Sequence, residues 1–200
     1  MIGPDDVLEF WFGELAPDGS VSDGVSARWW KKDEAFDRTI EQRFGESLER
    51  AGGGQLDDWA ESAAGTVALI VLLDQFSRNV YRNSPGAFAN DARALALTTR
   101  LLDSGAHLEL PAAHAYFALM PLMHSESLAD QERGVALFSA LAERATSSTV
   151  RGMFQNAADF AERHRVIVAR FGRFPHRNAI LGRPSSAEEE DFLKQPGSSF

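Results

Sequence analysis

Residues 150–171 read VRGMFQNAADFAERHRVIVARF, and the spacing of their apolar side chains decides the fold class. Val150, Phe154, Ala157, Ala161, His164, Val168 and Phe171 alternate four and three apart. At 3.6 residues per turn they fall on one face, so the stretch is a long amphipathic helix. Its apolar seam reads as a face packed inside a helical domain, with a dimer zipper as the alternative. His164 sits in the seam and reads as a satisfied core histidine.

The same reading extends in both directions. Gly172 ends this helix, and Pro175 forces Phe174 into an extended conformation. Ser186-Ala-Glu-Glu189 is a capping box, so a short last helix is expected over 188–194, followed by a loose tail. Upstream, Ser127 can cap a helix from Leu128 to Arg144, with Asp130 favouring its positive end. Pro111 opens a helix running towards Met123, and Phe88 to Leu102 forms another. Gly65 to Phe76 is apolar nearly all round, as a central buried helix is. Phe36, Ile40, Phe44 and Leu48 mark a helix from about Asp33 that Gly52-Gly53-Gly54 ends. Val7 to Phe12 is a short helix after Pro4, and Ala16 to Gly24 reads as a loop. No strand alternation and no clean long repeat is visible. The expectation is one all-α domain over residues 1–195, with about seven to eight helices and a loose tail at 196–200.

Charge narrows the function classes. The chain carries a formal net charge of −9 and no cysteine, which excludes disulfides and thiolate chemistry. Residues 1–62 hold fifteen Asp and Glu against six Lys and Arg. Such a field argues against nucleic acid as a partner. The longest apolar run, Val67 to Leu73, is far below the ~18 residues of a membrane span. Met-Ile-Gly-Pro-Asp-Asp lacks the basic and apolar regions of a secretory signal, so a cytoplasmic location is expected. Against this acidic background, Arg163, Arg165, Arg170, Arg173, Arg177 and Arg183 follow one another with no acid between them. They bind an anion or dock on the protein's own carboxylates, and arginine's planar fork suits both.

Three polar motifs lie where helices end or break. In Asp74-Gln-Phe-Ser-Arg-Asn79, Asp74 closes an apolar helix whose dipole disfavours a carboxylate, so it needs a partner. Arg78, four residues on, suits an ion pair, and Arg82 is four further. Asp74 either forms a structural pair or orients arginines for an anion. In Pro121-Leu-Met-His-Ser-Glu126, Pro121 cannot donate to the Phe117 carbonyl, so the helix kinks or ends there. His124 or Ser125 then satisfies the freed backbone groups, or His124 and Glu126 form an acid–base pair or part of a metal site. In Arg173-Phe-Pro-His-Arg-Asn178, a proline-stiffened loop carries His176, Arg177 and Asn178 beside the N-terminus of the capped helix, where an oxyanion could sit. Ligand spacing for a metal is incomplete, and no metal or cofactor is expected.

Val7-Leu-Glu-Phe-Trp-Phe-Gly13, Leu72-Leu-Asp-Gln-Phe-Ser-Arg-Asn79, Pro121-Leu-Met-His-Ser-Glu126 and Arg170-Phe-Gly-Arg-Phe-Pro-His-Arg-Asn178 together resemble the bacterial family called domain of unknown function 924. The resemblance runs from about Val7 to Leu193. It implies an all-helical fold with a tetratricopeptide-like arrangement of antiparallel helices, and it implies no reaction. Relatives often carry proline where Ser77 stands. That departure suggests a turn presenting Arg78 and Asn79 rather than a helical Asp74–Arg78–Arg82 ladder.

Two functional expectations follow. The first is a ligand-binding or interaction module in which Arg78, Arg82, Arg173 and Arg177, with Asn178, hold a small anion or an acidic or C-terminal peptide. The second is a hydrolase or lyase acting on a small anionic substrate. There His124 or His176 is the general acid–base and Asp74 or Glu126 its orienting carboxylate. The oligomeric state stays open.

Overall fold

The seam of residues 150–171 does face inward. In the computed structural model, which describes residues 2–199, Val150, Phe154, Ala157, Ala161, His164 and Val168 are buried. Met1, and Phe200 at the end of the expected tail, lie outside the described residues. The helix that carries the seam, α9, spans Ser148–Phe171, and Gly172 ends it with φ of 67°. It packs along α8, Leu128–Arg144, from which only Ala145, Thr146 and Ser147 separate it. Ser127 and Ser147 each accept a backbone N–H and so cap α8 and α9.

Two helices form the centre because their sequences are apolar on every side. One begins as α4, Ala63–Ile70, and continues without a break through a π-helical stretch, Val71–Phe76, into α5, Ser77–Val80. Every residue from Gly65 to Ser77 is buried. The other is α7, Ala112–His124, in which all residues from Ala113 to Met123 are buried. Around them lie α1 (Pro4–Phe12), α3 (Glu34–Gly52), α6 (Asp91–Asp103), α8 and α9, each contributing one apolar stripe. Asp33 caps α3 by accepting from the N–H groups of Ala35 and Phe36. Ile40, Phe44, Leu48 and Ala51 then face the core.

Counting α4, the π stretch and α5 as one rod, the described residues form nine helices and no strand. The helix beyond the expected set is α2, Asp23–Trp29, which starts inside the segment that reads as a loop. None of its residues is fully buried, so it lacks the apolar stripe that periodicity detects. No helix among the described residues is long and apolar enough to cross a membrane. The last helix, α10 (Ala187–Leu193), opens with the expected capping box. A small second cluster of Ile167, Val168 and Phe174, with Phe171 and Phe192 against it, fastens this C-terminal segment to α9. In the expected tail, Ser198 Oγ donates to the Leu193 carbonyl.

One local expectation is corrected. The chain does not turn at Ser77; helix continues to Val80 because serine, unlike proline, keeps its N–H and its α conformation. Pro121 lies inside α7, which ends three residues further on, at His124.

Candidate functional site

The π stretch sets the site's geometry. A widened helical turn of this kind is rare and recurs at functional positions. Here it holds Asp74 fully buried, with Gln75 beside it donating to Oδ2. His124, the last residue of α7, brings Nδ1 to 2.7 Å from Asp74 Oδ1. Arg78, one turn after Asp74, places Nη1 3.0 Å from the same oxygen and 3.0 Å from Asp91 Oδ1. Arg177 reaches in from the C-terminal loop, with Nη1 3.3 Å from Asp91 Oδ2 and Nη2 3.0 Å from the His124 carbonyl oxygen. Its guanidinium lies 4.7 Å from the Phe88 ring centre and 4.5 Å from that of Phe174. A planar cation held between two rings and bonded at its edges is fixed in orientation.

Charges balance in this cluster: two carboxylates face two guanidiniums. Burial pushes the Asp74 pKa up, but Arg78 and His124 outweigh it and hold the carboxyl below its usual range. Burial and the Arg78 charge push the His124 imidazole down, with Asp74 opposing them. Asp74 is therefore a carboxylate and His124 a neutral ring. An ionised carboxylate only accepts, so Nδ1 must carry the proton and Nε2 the lone pair. The His124 side chain retains 13% exposure and that of Arg78 21%. Burial lowers Arg177 first, and repulsion from Arg78 adds to it, to about 10, which still leaves it cationic.

The backbone at His124 is held from outside its helix. Gln131 Nε2 donates to the Met123 carbonyl at 2.7 Å and to the Ser125 carbonyl at 2.6 Å. Arg177 takes the carbonyl between them. Three successive carbonyls at the end of α7 are thus satisfied by side chains, as a buried helix end requires.

Other candidates are placed elsewhere or already committed. Arg82 binds Asp37 through Nε at 2.8 Å and Nη2 at 2.9 Å, and Asn79 donates to the same carboxylate, locking α5 onto α3. Of the four candidate arginines, Arg82 is the one that pairs with an acid from residues 1–62. Arg173 makes a two-bond pair with Glu189, and Arg183 makes one with Glu126. Glu126 also accepts from the Phe174 N–H at 2.8 Å, so its carboxylate organises the C-terminal loop and does not face His124. Asn178 bridges Arg183 and Ser185 within that loop. His176 packs against Phe174, and burial, helped by the Arg177 charge, lowers it to about 4. His164 hydrogen-bonds through Nδ1 with the Phe160 carbonyl, 6.4 Å from the His124 ring centre. The N-terminus of α10 is occupied by the Glu189 carboxylate, which accepts from the Ser186 N–H. Within the arginine-rich stretch, Arg165 pairs with Glu162, Arg170 with Glu188, and Arg163 lies over the Phe160 ring.

Three residues that sequence reading did not single out complete the cluster. Asp91 and Phe88 flank the start of α6, where an acid reads as a helix-end charge. Gln131 left a usable signal: it shares the buried face of α8 with Gly134, Phe138 and Ala142. A polar group at a core position must find a buried partner. Among the described residues no group of three or more His, Asp and Glu is placed to hold a metal ion. The cluster lines neither of two surface clefts, one at the opposite end of α7 and one along α6.

The fold and this cluster define an all-helical protein with a buried Asp–His–Arg centre assembled from four separate segments. The chain belongs to the family described as bacterial protein of unknown function (DUF924), whose model matches residues 7–197. It is similar in structure to a protein of unknown function, ATU0120 from Agrobacterium tumefaciens, at 32% sequence identity. That likeness has a TM-score of 0.78 and covers 96% of each chain. No curated protein matches the chain.

Proposed function

We propose that the cluster around His124 is an acid–base site for a small anionic substrate. The observation that carries this reading is the Asp74–His124 pair. A fully buried carboxylate fixes the Nδ1–H tautomer, and the Nε2 lone pair is left on a side chain that keeps a solvent-exposed edge. Asp74 orients the ring and stabilises the imidazolium that forms when Nε2 takes a proton. Arg78, the more exposed of the two cluster arginines, attracts the substrate's anionic group. Arg177 and Gln131 hold the His124 backbone. Hydrolysis by an activated water, or proton abstraction in a lyase step, is the chemistry such a base performs.

A second reading keeps the anion and removes the turnover: a binding module in which Arg78 and His124 contact a small anion or a peptide carboxylate. It rests on the same convergence of Arg78 and Arg177 about Asp91. One experiment separates the two. Wild type and His124→Gln are assayed on chromogenic phosphate and carboxylate esters that carry a free anionic group, while the His124 ring nitrogens are followed by NMR. Turnover that falls by about a hundredfold or more in the folded variant supports the acid–base reading. Ring shifts without turnover favour the module. Neither turnover nor any ring shift with any anion would overturn both.

A further inference from the structure

The N-terminal end of α7 carries a cleft that the His124 site does not use. Its volume is ≈560 Å³, the size of a small-molecule pocket. The chain builds it from four places: the 15–19 loop, the 3-10 turn Ala106–Glu109, the last turn of α8 and the first turns of α9. Leu110, Leu141, Val150 and Phe154 line its apolar part.

Its walls are fixed before any ligand arrives. Ser147 donates to Asp18 at 2.6 Å, and Ser20 donates to the other oxygen of Asp18 at 2.6 Å, so that carboxylate is satisfied within the protein. Gly19, at φ of 78°, accepts from the Ala113 N–H, and a Cβ there would sit 2.5 Å from the Ala112 nitrogen. Only glycine allows the loop this close to α7.

Three further polar residues line the cleft. Arg144 and Glu109 line the cleft and make no ion pair or hydrogen bond among the described residues. His107 lines it too, and its Nδ1 is buried with no hydrogen-bond partner. Burial lowers the His107 imidazole, a backbone hydrogen bond at Leu101 opposes this, and the charges of Arg133 and then Arg144 lower it further. The ring is therefore neutral. Nδ1, the buried nitrogen with no hydrogen-bond partner, can then serve as the acceptor of the neutral ring.

We infer that this cleft binds an apolar α-amino acid, with Arg144 taking the carboxylate, Glu109 and His107 Nδ1 taking the ammonium group, and the apolar floor taking the side chain. Opposite charges beside an apolar wall match a zwitterion better than a simple anion, since Glu109 would repel the latter. The site is independent of the His124 reading.

Calorimetry on the full chain tests it with L-phenylalanine and L-leucine, beside 3-phenylpropionate (no amine) and phenethylamine (no carboxylate). Binding of both amino acids is expected, with each single-charge analogue at least tenfold weaker. Arg144→Gln and Glu109→Gln, both exposed positions, should each weaken binding about tenfold while the circular dichroism spectrum is unchanged. His124→Gln should bind as wild type does. No binding of either amino acid up to ~10 mM, where affinity becomes negligible, would overturn the assignment. Equal binding of 3-phenylpropionate, or indifference to both charge substitutions, would overturn it as well.

Discussion

His124 Nδ1 and Asp74 Oδ1 stand 2.7 Å apart although fifty residues separate them in the chain. The contact joins the C-terminal end of one central helix to the π stretch of the other. Replacing Asp74 by Asn keeps the volume and removes the charge. Arg78 then loses the buried one of its two counter-charges, and the imidazole faces an amide that can accept or donate, so its tautomer is no longer fixed. The expected cost is about 3–5 kcal/mol in urea unfolding. In the folded fraction, NMR should show the His124 proton shared between both ring nitrogens.

Gln131 satisfies two carbonyls with one amide. Gln131→Leu is close in shape and leaves both unpaired in a buried place. A loss of about 2–6 kcal/mol is expected, since each of the two orphaned groups costs about 1–3 kcal/mol. A surface role for Gln131 would give a change near zero. The His124 resonances should shift in the same variant.

Arg177→Lys separates charge from shape. If only the positive charge mattered, lysine would serve. The guanidinium, however, fills the space between Phe88 and Phe174 and bonds Asp91 and the His124 carbonyl at its edges. Lysine's compact ammonium cannot make that set. Thermal unfolding should register a loss of about 2–3 kcal/mol, the sum expected for one stacked cation and one or two bonds.

Acid should weaken the fold before the carboxylates titrate. Burial lowers His164 to about 3 and His114 to about 4, and His176 also falls to about 4, against 6.5 for each in the unfolded chain. Between those values the unfolded state binds more protons than the folded one. Stability is therefore full above about pH 6.5 and declines as pH falls through this window, by up to about 1.4 kcal/mol per pH unit for each histidine. The urea midpoint should drop steadily from pH 7 to pH 4.5. A midpoint that is flat over that range would mean these rings are not held neutral. Asp74, with its lowered pKa, adds its own loss only below about pH 4.

Gly65→Ala sets helix propensity against sterics. Alanine in a helix gains about 1 kcal/mol over glycine. A Cβ at Gly65 would lie 2.0 Å from the Trp59 carbonyl oxygen, an overlap with backbone that no rotamer relieves. Sterics win, and a net loss of about 1–3 kcal/mol is expected from denaturant unfolding.

The elements themselves were legible. The seam from Val150 to Phe171, the stripe at Ile40, Phe44 and Leu48, and the all-apolar run at Gly65 each fix a helix and its buried side through spacing alone. The caps at Ser127 and Ser186 did as well, because each acts within four residues of itself. Where no stripe exists, at α2, the reading missed a helix. The π stretch was invisible, since it depends on how the helix packs and not on which residues compose it.

Partnerships were decided elsewhere. The sequence put Asp74, His124 and Arg177 in polar motifs at helix breaks, and its reasoning that Asp74 needed a partner followed from the helix dipole. Which partner it found could not follow. Arg78 and Arg82 are one turn apart, yet one faces Asp74 and Asp91 while the other binds Asp37. Arg173 and Arg177 diverge in the same way, to Glu189 and to Asp91. Periodicity and capping are local interactions, so one chain segment encodes them. An ion pair between segments depends on the angle and height at which whole helices pack, and that is set by every side chain in the core at once. The chain alone thus determined helices, their buried faces and the presence of charge needing compensation. Only the tertiary structure determined that four of those segments meet at His124.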